Sequence, residues 1–187
     1  EDRKMRLSQR YERLASIVFH VKLGTLRDKM ERLRAVMEYL ASILGPDISP
    51  KLERLIPIMK TDLVTHMVGE FPELQGTMGR IYAGLEGEDT DIARAIEEHY
   101  LPTGGNGNLP RTSIGSIAAI ADKIDSIVSF FSVGINPTGN LDPYALRRQS
   151  LGIIKIAIER KFRLPLQDLL EKTYGAGAAI QNRLPFE

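Results

Sequence analysis

Asp62, His66 and Glu70 follow one another at i, i+4 and i+8 within KTDLVTHMVGEFPELQGTMG, residues 60–79. On a helix this spacing stacks them along one flank of an apolar face made by Leu63, Val64, Met67, Val68 and Phe71. A carboxylate and an imidazole one turn apart can hold a divalent metal, so Asp62 with His66, or His66 with Glu70, is a candidate ligand pair. A solvated ion pair uses the same spacing. The chain has three histidines, His20, His66 and His99, and no two of them form a recognisable ligand pair. It has no cysteine, which excludes disulfides, thiolate metal sites and cysteine catalysis. Ser-His-Asp catalysis has no signature either.

Phosphate binding is the second chemistry on offer. Arg80, Arg111, Lys123 and Arg148 are candidate phosphate contacts, each weighed against an ordinary solvated surface cation. Arg147 projects onto the edge of an apolar face, which suits a structural pairing with Asp122 or Asp125. The net charge of +1 decides nothing about nucleic acid, because a basic patch can sit within a balanced total. Six Tyr, six Phe and no Trp do not advertise base stacking. LPTGGNGNLPRT at 101–112 lacks the Gly-Lys-Ser/Thr of a phosphate-binding loop and reads as a flexible connector.

The elements that must position these groups are helical. With 187 residues and 43% hydrophobic content, a sizeable core is available. A first helix runs through Leu7, Tyr11, Leu14, Ala15 and Val18 and breaks at Leu23-Gly24. Thr25 and Asp28 form a weak capping box for a second helix. Its seam of Leu26, Met30, Leu33, Met37, Leu40 and Leu44 predicts an antiparallel pairing with the first. Ser49-Pro50 opens a short helix, and Pro57 separates it from a helix beginning at Lys60. Phe71-Pro72 bends the chain before helices over about residues 73–85 and 89–99. Residues 113–131, SIGSIAAIADKIDSIVSFF, are apolar around most of the circumference and predict a central buried helix. Its Asp122 and Asp125 then need partners or a cavity. After a turn at Asn136–Asn140, Asp142-Pro143 predicts an N-cap and N1 proline. The helix they start carries Leu146, Leu151, Ile153, Ile154, Ala157 and Ile158 inward. A last helix runs from Pro165 to Gly175.

Several stretches together resemble the bacterial glycyl-tRNA synthetase beta subunit: VFHVKLGTLRDKMERL at 18–33, the 60–79 stretch, EEHYLP at 97–102, IAAIADKIDSIVSFFSVG at 117–134 and NPTGNLDPYALRRQSLG at 136–152. They occur in order along nearly the whole chain. In that family the alpha subunit holds the class II catalytic core, and the longer beta subunit contributes tRNA recognition. The resemblance implies an internal piece of the beta subunit, in keeping with a start at Glu1 without Met. It implies tRNA(Gly) and the alpha subunit as partners, no cofactor bound by this piece, and ATP and Mg used by the whole enzyme. A cytoplasmic location and no membrane association are expected.

The resemblance also implies a fold: an all-α multi-helix bundle similar to the HD domain, a metal phosphohydrolase scaffold. Residues 1–135 would form its core, and 136–187 would continue the bundle or lead toward an anticodon-binding region. That scaffold draws a His from an early helix, a His-Asp pair from the next and an Asp from a later one. Thr61-Asp62 fills the His-Asp position, Asp122 the last Asp, and Lys29 or Arg32 stands where the first His is expected. The implied site is degenerate, with no catalytic residue and no metal. A noncatalytic tRNA-binding and assembly domain is the leading expectation. One alternative is an active HD-type metal phosphohydrolase using Asp62, His66 and Asp122. Another is an assembly module docking a partner helix on the Leu26–Leu44 seam.

Overall fold

The structure is a computed structural model, and it describes residues 1–104, 107–139 and 141–186. It is mainly helical. After a 3₁₀ helix over Leu7–Ser16 comes a two-stranded antiparallel pair, β1 (Val18–His20) and β2 (Gly24–Thr25). Helices α1 (Leu26–Leu44), α2 (Ser49–Leu55), α3 (His66–Glu70), α4 (Thr77–Leu85) and α5 (Thr90–Glu98) follow. Then come α6 (Ser113–Ser132), α7 (Leu146–Arg160) and α8 (Leu166–Ala176). The chain is mostly helical, as expected, but the first helix is 3₁₀ and stops at Ser16, and Val18 lies instead in β1 of the short strand pair, where Gly24 takes φ 84. Among the described residues no helix is long and apolar enough to cross a membrane.

The capping box at α1 forms as expected. Asp28 N–H donates to Thr25 Oγ1 at 3.2 Å, and Thr25 N–H donates to Asp28 Oδ2 at 2.7 Å. The seam of α1 is buried in the domain's own core against α6 and α8, so it is not open to a partner helix. Central α6 is buried along most of its length, as its composition demands.

The expected helix from Lys60 does not form. A 3₁₀ turn over Thr61–Val64 ends at Thr65, which is extended, and α3 starts afresh. Thr65 Oγ1 donates to the Asp62 carbonyl at 2.6 Å and accepts from Val68 N–H at 3.3 Å, the bonding of an N-cap. Asp62, His66 and Glu70 therefore share no helix. Asp62 is buried, whereas His66 and Glu70 are exposed.

A second correction concerns α7. Its N-cap is Ala145 in the left-handed region at φ 56, three residues after Asp142. Asp142 still caps, accepting from Leu146 N–H at 2.7 Å and Arg147 N–H at 3.0 Å, but Pro143 is not at the first helical position. Leu146, Ile153 and Ile156 face inward. Leu151, Ile154 and Ile158 are 54%, 53% and 72% exposed, against expectation. Arg147 is exposed and donates to the Gly139 carbonyl, not to Asp122 or Asp125. Asn140, the end of the expected turn, and Gly105 and Asn106 of the expected loop lie outside the described residues.

Candidate functional site

The polar strip of α6 meets the polar residues of α1 and of the segment before α3 inside the bundle. Lys29 Nζ lies 2.9 Å from Asp125 Oδ2 and 3.3 Å from Asp122 Oδ1. Arg32 grips Asp125 with two bonds, Nε to Oδ1 at 2.7 Å and Nη2 to Oδ2 at 3.2 Å. Lys60 Nζ, 3.1 Å from Asp122 Oδ1, approaches the same carboxylate. Two ammonium groups thus converge on Asp122, and an ammonium and a guanidinium on Asp125. Burial alone would raise both carboxyls, but the neighbouring cations outweigh it and hold both below the usual range.

Asp62 stands apart from that cluster. Its Oδ2 accepts from Gly76 N–H at 2.6 Å. Burial pushes its carboxyl up, opposed by that bond and by the charge of Lys60. Thr61 is buried and donates to the Ile58 carbonyl at 2.9 Å. Among the described residues no group of three Asp, Glu or His side chains converges.

His99 and Tyr100 complete the neighbourhood. Lys60 Nζ lies 3.0 Å from His99 Nε2, and as an ammonium it can only donate there, which places the proton of a neutral imidazole on Nδ1. The ammonium also sits 4.7 Å from the centre of the Tyr100 ring. Burial, and then the charge of Lys60, push His99 well below its ordinary range. Its unfolded value is about 6.5, so between the two values the unfolded chain binds the extra proton. Stability from this group is complete above about pH 6.5 and declines as the pH falls. Asp62, raised on folding, works in the opposite direction in acid. Comparison with His99→Gln isolates the histidine: urea unfolding across mild acid should show the wild-type decline flattened in the variant. Equal slopes would show that His99 is protonated in the fold.

The phosphate-contact candidates separate by burial. Lys123 is 5% exposed and donates to the Leu101 carbonyl at 2.7 Å, so it cannot meet a phosphate at the surface. Burial lowers its pKa to about 8, against the opposing pull of Asp122. Its bond instead holds the start of the 101–112 loop. Glu98 holds the other end, accepting from Arg111 N–H at 3.0 Å and Thr112 N–H at 3.1 Å. Both ends of the expected flexible connector are therefore fixed. Arg80 is half-buried and paired with Glu97 at 2.7 Å. Arg111 and Arg148 are exposed.

Sequence reasoning missed Lys60, His99, Tyr100 and Glu98. Lys60 carried a signal, since it directly precedes Thr61-Asp62, but the helical pattern made it look like an ordinary first-turn cation. The other three lie at the end of α5, where nothing in their spacing announces a shared pocket.

Residues 1–184 match the family described as Glycyl-tRNA synthetase beta subunit. The glycine–tRNA ligase beta subunit of Geobacter metallireducens is 50% identical over 183 residues, 98% of this chain and 27% of that protein. That of Geobacter sulfurreducens is 52% identical over 172 residues, covering 92% and 25%. That of Syntrophus aciditrophicus is 51% identical over 172 residues, again 92% and 25%. The chain spans about a quarter of the length of these curated relatives. A family match over almost the whole length and identity of this order show that the chain belongs to the glycyl-tRNA synthetase beta subunit family.

Proposed function

We propose that this chain is a noncatalytic helical domain that holds tRNA(Gly) and supports assembly with the alpha subunit, within an enzyme that uses ATP and Mg to join glycine to tRNA in the cytoplasm. The bundle is HD-like, and its former metal site has become a structural charge cluster. The observation that carries this reading is the pair of ammonium groups, Lys29 and Lys60, on Asp122. An HD-type phosphohydrolase would need Asp122 and Asp62 as ligands of a divalent ion. These residues do not fit one: Asp122 is neutralised by lysines, Asp62 is engaged by Gly76 N–H, and His66 lies outside on another helix. No metal-dependent step is derived for them. The cluster instead ties α1, α6 and the segment before α3 into one body, which suits a scaffold.

A surface that grips RNA through phosphates loses affinity steeply with salt, because each contact releases condensed counterions. A transcript of tRNA(Gly) should bind the purified chain, with log affinity falling linearly in log salt concentration. Arg80, Arg111 and Arg148 are the candidate contacts from the sequence that retain some exposure. Arg80→Ala should matter least, since Glu97 already neutralises it. No binding at low ionic strength would sink the RNA role.

A further inference from the structure

We propose that one edge of α7, together with the anchored loop before α6, forms a continuous track for the phosphodiester backbone of an RNA strand. The inference rests on the RNA reading above and places it on specific residues. Residues 143–167, PYALRRQSLGIIKIAIERKFRLPLQ, contain six cations and a single acid, Glu159. The 101–112 loop beside them has no acid at all. In a chain of net charge +1 this is a strong local excess.

The structure brings the two segments side by side. A small cleft is lined by Pro102 and Gly104 of the loop and by Arg148, Leu151, Gly152 and Lys155 of α7. Nearer the helix end, Arg160 donates to the Pro110 carbonyl at 3.2 Å and to Ser116 Oγ at 2.9 Å. Described parts of the loop therefore meet α7 at two places, beside Arg148–Lys155 and at Arg160, positions about 18 Å apart at a helical rise. Arg111 directly follows Pro110, and Lys161 and Arg163 directly follow the Arg160 that binds it. Gly152 permits the approach, since a Cβ there would lie 3.1 Å from Lys123 Cε and 3.4 Å from Pro102 Cδ.

Arg111, Arg148, Lys161 and Arg163 are exposed, and among the described residues their side chains make no ion pair or hydrogen bond. This sets them apart from Arg27, Lys51, Arg54 and Arg80, all held by carboxylates. Unpaired cations beside a firmly anchored, acid-free loop are the arrangement that a polyanion backbone recognises. A protein segment is the competing occupant, and it would bury the adjacent Leu151, Ile154 and Ile158.

The test is anisotropy titration of a labelled tRNA(Gly) transcript across a salt series. The ridge variant carries Arg111→Ala, Arg148→Ala, Lys161→Ala and Arg163→Ala. It should bind roughly 100-fold more weakly at moderate salt, with a log–log slope shallower by about three. Arg13→Ala/Arg94→Ala, on exposed cations elsewhere, and Leu151→Ser/Ile154→Ser/Ile158→Ser should stay within about twofold of wild type. If wild type binds and the ridge variant matches it, the track is wrong while the RNA role stands. If the control pair falls as far as the ridge variant, attraction is diffuse and the track is wrong. Loss in the aliphatic variant alone puts the RNA contact on the apolar side of α7 and overturns the track. If wild type does not bind, the RNA role fails and takes the track with it.

Discussion

Asp125→Ala is expected to lower the free energy of unfolding by about 3–5 kcal/mol, the cost of stranding buried cations without their counter-charge. Asp125 is fully buried, and it receives Lys29 at 2.9 Å, Arg32 at 2.7 and 3.2 Å, and Ser129 Oγ at 3.3 Å. Lys29 and Arg32 are themselves 2% and 5% exposed, so neither can swing its charge into water without opening the bundle. The loss is comparable with the whole stability of a small marginal domain. Asp125→Asn should cost less, because it keeps the shape and one acceptor while losing the charge. Lys29→Met/Arg32→Met/Asp125→Leu should cost less than Asp125→Ala alone, since Asp125 leaves together with both of its cations and Asp122 keeps Lys60. Urea unfolding with the m-value held constant checks all three. A loss below about 1 kcal/mol for Asp125→Ala would show that the cations reach solvent after all.

Local pattern made the need for this cluster visible but not its composition; only the family resemblance set Lys29 or Arg32 with Asp122. Two aspartates on an otherwise apolar helix had to find partners, and the only question was which. The answer lies 93 to 96 residues away on α1, a distance that no local pattern spans. The α1 seam and its cap were legible because period and capping chemistry are local. Thr65 was not, because an apolar period running through residues 60–71 hides a hydroxyl that bonds both Asp62 and Val68. The outward aliphatics of α7 expose a different limit. An apolar residue on a helix is not thereby an inward one, since the burial rule runs one way only and a helix can carry apolar residues on two sides. Charge gave no warning that Lys123 faces inward, since a buried lysine and a surface one look alike in a sequence.

Glu98→Ala is expected to cost about 3 kcal/mol, because it strips the buried acceptor from several donors at once. Glu98 is 7% exposed and caps the approach to α6, taking Arg111 N–H, Thr112 N–H and the Thr112 hydroxyl, the last at 2.5 Å. Thr112 Oγ1 in turn accepts from Gly115 N–H at 3.0 Å, so one carboxylate organises the first turn of the central helix. Gly115 is the other half of the arrangement: a Cβ there would lie 2.2 Å from Glu98 Oε2 and 2.8 Å from Thr112 Oγ1. Gly115→Ala should therefore cost about 1–3 kcal/mol as overpacking, despite the better helix propensity of alanine. The two changes are coupled through the same atom. With Glu98 shortened to alanine, the tightest of the collisions disappears while the Cβ of residue 98, at 2.8 Å, stays, and the double variant should still be more stable than the sum of the singles by about 1 kcal/mol. Strict additivity in urea unfolding would mean that the carboxylate moves aside freely. Arg111 leaves this anchor directly, so Glu98→Ala should also weaken RNA binding without removing any surface cation. Gly115→Ala/Glu98→Ala would not restore that loss, because alanine at 115 supplies no acceptor for Arg111 N–H. A stability gain without recovery of RNA affinity would separate the packing role of this pair from its positioning role.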